Sequence, residues 1–227
     1  MREELHPLGL EVVTVALDVG GAEDAGRWID AADAKHPSLI DSTHVLDELF
    51  GVVNVPSGIW IDEQGMIVRP PEPSWPGKSA FREVMGTIEL PPDADPYVVR
   101  ALGVTSRINV DPEGSLARLR DWARNGAASE YAMSPGEVIS ASRARGPEQS
   151  RAAAHFELGQ HLWRAESHQV AIEHFKRAHA LAPENWTYKR QAWQFASPIL
   201  QNATEVYGTD WATEVEQAGP ENYYPPL

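Results

Sequence analysis

Residues 10–18, Leu-Glu-Val-Val-Thr-Val-Ala-Leu-Asp, form a β-branched and nearly continuous apolar run, the pattern of a buried parallel strand. Val19-Gly20-Gly21 ends it. Ala25, Trp28, Ile29 and Ala32 then recur at helical spacing and predict a helix over 22–34. Residues 36–41 read as a second short strand. Ser42 or Thr43 is placed to cap a helix over 44–50, with Val45, Leu46, Leu49 and Phe50 on its inner face. Residues 57–62 are a third strand, Glu63-Gln64-Gly65 a tight turn, and Met66-Ile67-Val68 its antiparallel partner. The connections between the first three strands are crossovers and imply parallel pairing.

Beyond this point the pattern changes. Residues 70–77 are a loop dense in proline, followed by a helix over 78–87 with Phe81, Val84 and Met85 inward. Residues 91–96 are another break, and a short helix is expected over 97–103. After Pro112 the β-branched runs stop. Helices are expected over 113–124, 135–145, 147–164, 168–181 and 186–195, with an irregular end over 219–227 on which Tyr223 and Tyr224 are placed to dock. The shift divides the chain into an α/β unit over 1–104 and an all-α unit over 105–227.

Composition narrows the function classes. The chain has 227 residues, 42% hydrophobic and 23% charged, an ordinary globular balance. Its formal net charge is -14, which disfavours nucleic acid. Arg143 and Arg145 come nearest to a basic run and read as a solvated helix end. No apolar stretch approaches the roughly 20 residues that span a bilayer. The first residues lack the basic and apolar regions of a signal peptide, so a cytoplasmic protein without membrane contact is expected. There is no cysteine, which rules out disulfides, thiolate metal sites and thiol nucleophiles within the chain.

The remaining chemistry-bearing residues read mainly as structural. His155 and His161 are six apart, as are His168 and His174, and His179 follows; a helical ligand pair needs three or four. Surface or interhelix histidines are the expectation, with no metal and no cofactor. His44 and His6 are lone residues. Asp18, Asp41 and Asp62 end strands, where turn formation and capping explain them. Ser57 lacks a nucleophile elbow, and Gly20-Gly21 lacks the pattern of a phosphate loop. No residue emerges as catalytic. Trp75, between prolines, is a candidate anchor for a protein partner.

Two sets of residues carry family resemblances. The first comprises the strand ending in Asp18, Pro37-Ser38-Leu39-Ile40-Asp41, Phe50-Gly51-Val52, Val55-Pro56-Ser57, and Trp60-Ile61-Asp62-Glu63-Gln64-Gly65-Met66-Ile67-Val68. In that order they resemble the thioredoxin-like redoxins, of the ResA/TlpA and peroxiredoxin-like (AhpC/TSA) kinds. The resemblance covers about a quarter of the chain. It implies a thioredoxin-like sheet with flanking helices, a cis peptide before Pro56, and a binding groove at Val55, Pro56 and Ser57. It also places the cysteine-bearing turn and its strand upstream of Leu10, where only Met1–Gly9 stand. Either that segment precedes Met1, or the chain has lost it. The second set, Leu158-Gly159, Leu162, Ala171, Phe175, Ala178 and Pro183, is similar to one tetratricopeptide repeat. One such helix pair cannot bury its own face and needs other helices, the α/β half or a second chain. Together these imply a redox-inactive binding or scaffold module, with protein contact or self-association through the helical half. The alternative is a thiol oxidoreductase whose catalytic turn lies outside this chain.

Overall fold

The computed structural model describes residues 1–74, 90–142, 144–197 and 202–224. Helix α1 (Arg2–Leu5) leads to strand β1 (Thr14–Leu17), helix α2 (Ala22–Ala32), strand β2 (Ser38–Asp41) and helix α3 (Val45–Phe50). Strands β3 (Ser57–Ile61) and β4 (Ile67–Pro73) complete the α/β half. β1 and β2 pair in parallel with Thr14 opposite Ser38, and β3 and β4 pair antiparallel with Ser57 opposite Pro73. Element order, the parallel β1–β2 pair and the antiparallel β3–β4 pair follow the sequence pattern, but β3 pairs with neither β1 nor β2, contrary to the parallel pairing that the crossovers predict. The strands form two separate two-stranded sheets instead of one central sheet.

The split has physical consequences. β1 is shorter than its apolar run, and Val13 and Val15 are 54% and 36% exposed, so the expected buried strand is a partly exposed one. An apolar run records a demand for burial, and β1 meets that demand along one edge only. The expected face of α3 is also overturned. Val45 and Leu49 are exposed, while His44 and Asp47 are buried. Neither Ser42 nor Thr43 caps this helix. Asp41 does so, its carboxylate accepting from the Leu46 N–H at 2.6 Å and the Thr43 N–H at 3.2 Å. That carboxylate network fixes the rotation of α3 and outweighs the preference of two valine- and leucine-sized side chains.

The second half comprises α4 (Pro96–Arg107), α5 (Pro112–Asn125), α6 (Pro135–Ala141), α7 (Pro147–Arg164), α8 (His168–Leu181), α9 (Trp186–Ala196), α10 (Thr204–Tyr207) and α11 (Trp211–Ala218). Several begin with a capping side chain followed by proline. Asp95 accepts from the Tyr97 N–H, Asp111 from the Gly114 N–H, and Ser134 forms a capping box with Glu137. Proline at the first helical position has no N–H to leave unpaired there. None of the described helices is long and apolar enough to cross a membrane. The helix expected over 78–87 lies outside the described residues, as does Trp75.

Two apolar cores hold the helices. One gathers Val104, Ile108, Trp193, Val215 and Tyr223; the other gathers Phe156, Phe175, Ala178, Tyr188 and Ala192. Positions 104 and 105, where composition divides the chain, lie within α4. α7 and α8 form a tight hairpin, with Gly159 against the Phe175 ring. α9 lies between the two cores and is buried on nearly every side, Trp193 facing one and Tyr188 the other. It also holds the α/β half. The Val53 carbonyl accepts the Trp186 and Thr187 N–H groups at 2.7 and 3.3 Å, and the Gln191 side chain accepts from Val19 N–H at 3.4 Å.

Candidate functional site

The space between the two small sheets is a cavity of about 1220 Å³. β1 lines one wall and Val55, Pro56, Ser57 and Ile59 line another. Trp28 and Ile29 of α2, Phe50, and Tyr223 and Tyr224 of the tail contribute much of the remaining apolar surface. The ladder geometry orients the backbone along these walls. Thr14 N–H donates to the Pro37 carbonyl and Asp18 N–H to the Asp41 carbonyl, so residues 14, 16 and 18 face β2. The N–H and C=O groups of Val13, Val15 and Leu17 therefore face the opposite way. On the other wall, the Pro56 carbonyl accepts from Ser74 N–H, which turns the backbone of Ser57 away from β4. Each sheet thus presents an unpaired strand edge to this space.

The groove residues implied by the redoxin resemblance lie together here. The Val55–Pro56 peptide is cis, as that resemblance implies. The Val55 carbonyl accepts from the Tyr224 hydroxyl at 2.8 Å and the Arg190 guanidinium at 3.5 Å. Asn54 donates its side-chain amide to the Tyr223 carbonyl at 3.0 Å. The chain's last described residues and α9 therefore brace this loop. The Ser57 hydroxyl donates to the Glu72 carbonyl at 3.1 Å, a structural bond within the hairpin.

Polar groups around the cavity are largely committed. His44 Nδ1 stands 2.9 Å from Asp47, and both side chains are almost fully buried. The far ring nitrogen of His44 meets Gln191 at 3.4 Å. This imidazole is a crosslink between α3 and α9. Asp18 and Asp62 serve turns: Asp18 accepts from Gly20 N–H, and Asp62 from the Gln64 and Met66 N–H groups. The backbone hydrogen bonds to Asp41 hold its carboxyl below the usual range against the opposing effect of burial. His155 and His174 meet across α7 and α8 at 2.8 Å, an interhelix contact as their spacing suggests. Among the described residues no group of three or more His, Asp or Glu is placed to hold a metal ion.

Sequence reasoning missed Arg190, Trp28 and the two tail tyrosines as cavity residues. Arg190 is separated from Val55 by 135 positions and sits in an ordinary helical pattern, so only the fold brings it here. Comparison with known proteins adds no assignment: no family model, no curated protein and no solved structure matches this chain.

Proposed function

We propose that this chain is a non-catalytic binding module whose cavity takes up an extended apolar segment of another polypeptide by strand addition to β1 and β3. One observation carries the reading: two unpaired strand edges border the same apolar space of about 1220 Å³. A strand edge is a row of N–H and C=O groups, and covering it with anything but a hydrogen-bonding chain leaves those groups without partners. An extended segment meets the edges with its backbone and fills the space with alternate side chains. β-branched apolar residues suit such a segment best. A chain without cysteine has no thiolate to exchange, so a redox-inactive thioredoxin-like scaffold fits both its pattern and its chemistry. The tetratricopeptide-like hairpin supplies a second contact surface in this reading.

The test uses a fluorescein-labelled hexapeptide of alternating valine and threonine, followed by anisotropy. Saturable binding is expected. Val15→Pro deletes one cavity-facing N–H and leaves the β1–β2 ladder intact, and it should weaken binding by about tenfold. Equal affinity for variant and parent would refute strand addition. Turnover in an insulin-reduction assay would refute the non-catalytic reading.

A further inference from the structure

We propose that the segment taken up between the two sheets carries a carboxylate, which Arg190 binds beside the start of β3; this rests on the strand-addition reading above. Arg190 lines the cavity and is partly buried. Its hydrogen bond to the Val55 carbonyl is 3.5 Å long, at the outer limit for such a bond, and that carbonyl already accepts from the Tyr224 hydroxyl at 2.8 Å. The remaining guanidinium nitrogens have no partner among the described residues, and none of them is sealed from solvent, so a ligand in the cavity can reach them. The other charged side chains of the lining are committed: Asp47 pairs with His44 at 2.9 Å, and Asp18 accepts from the Gly20 N–H at 3.0 Å.

Filling the cavity sets a requirement at this group. An extended segment along β1 and β3 displaces water from the guanidinium, and a cation that loses water without gaining an anion is costly. A wholly apolar segment imposes that cost. A carboxylate removes it: its two oxygens accept from two parallel N–H groups of the guanidinium, and its single negative charge matches the single positive one. A lysine or arginine in the segment would add a like charge at the same place. Val55 stands two residues before β3, so the guanidinium marks one end of the edge that the segment joins. The preferred occupant is therefore an apolar, β-branched stretch with an acid at one end. That acid is either a Glu or Asp side chain or the segment's C-terminal carboxylate, which present the same pair of oxygens.

The experiment is a competition in which unlabelled, N-acetylated peptides displace the labelled valine–threonine hexapeptide from the full chain, read by anisotropy. The competitors are the hexapeptide amide, the same amide extended at either end by Glu or by Gln, and the hexapeptide with a free C-terminal carboxylate. At one end, Glu is expected to bind about tenfold more tightly than Gln. A similar advantage of the free acid over its amide identifies a C-terminal carboxylate as the source, and its absence identifies an acidic side chain. Arg190→Gln should bring these ratios to about one, whereas a general loosening of the cavity would weaken acidic and neutral peptides alike. Equal affinity of the Glu and Gln peptides at both ends, together with equal affinity of acid and amide, overturns the carboxylate, as does a preference that survives Arg190→Gln. In either case, displacement by the neutral amide that Val15→Pro weakens leaves strand addition standing. If no peptide binds saturably, both readings fall.

Discussion

Replacing Gly159 with alanine sets two effects of opposite sign against each other. In an exposed helix interior, alanine in place of glycine gains about 1 kcal/mol. At position 159 the new Cβ would stand 2.6 Å from Cε1 and 2.7 Å from Cδ1 of Phe175, where ordinary contact begins near 3.4 Å. The ring would have to retreat by most of an ångström. It is fully buried, with Phe156 and Phe195 centred 5.8 and 5.7 Å away. Overpacking of such a core costs about 1–3 kcal/mol. With aromatic neighbours close on two sides the upper part of that range applies, and Gly159→Ala should destabilise by about 1–2 kcal/mol net. Phe175→Ala alone should cost about 3–5 kcal/mol. With the ring gone, Gly159→Ala meets no obstacle and should stabilise by about 1 kcal/mol. The cycle then shows a coupling of about 2–3 kcal/mol, read by urea unfolding followed through far-ultraviolet circular dichroism. The same effect of Gly159→Ala in both backgrounds would refute the close approach of α7 and α8. A cost below about 1 kcal/mol for Phe175→Ala would refute the buried ring.

Two further outcomes follow from the helical half. Lys189→Met leaves Glu214 charged and partly buried without its partner, and should cost about 3–5 kcal/mol in urea unfolding, most of it recovered when Glu214→Leu is added; no recovery in the double variant would refute the pairing. His179 binds its proton only near pH 3 in the folded chain and near 6.5 when unfolded. Its folded value is depressed, so its contribution to stability is complete above about 6.5 and declines as pH falls toward 3, with a slope approaching about 1.4 kcal/mol per pH unit. The free-energy difference between parent and His179→Leu should therefore shift in favour of the variant between about pH 7 and pH 5, and a constant difference would refute the buried neutral imidazole.

Local signals made the helices legible. Residues 147–164 and 168–181 are helical over the span their periodicity predicts, and Asp111-Pro112 and Ser134-Pro135 mark helix starts with a cap and a residue that needs no partner. The order of the strands and the directions of the β1–β2 and β3–β4 pairs were legible too, but the expected parallel pairing of β3 with the first two strands was not met. What needed the fold was anything set by a neighbour. β1 carries the composition of a buried strand, yet its burial depends on a second flanking strand that composition does not register. The face of α3 is set by Asp41, a residue outside the helix. Tyr223 and Tyr224 read as tail residues placed to dock, but their targets, Trp186 and the Val55 carbonyl, are far away in sequence and only the fold brings them together. Of the cavity wall, a resemblance singles out Val55, Pro56 and Ser57; it does not single out the side chains opposite them.

The Val53 carbonyl, receiving two N–H groups from the start of α9, ties the loop after α3 to the helix at the centre of the molecule. Expressed alone, residues 105–227 would begin α9 without that acceptor and would lose Val104, one of the side chains that Trp193 packs among. A cut where the composition changes would thus leave two incomplete fragments. Mixing them should restore more structure than the sum of the parts, because each supplies the other's missing half of a shared scaffold.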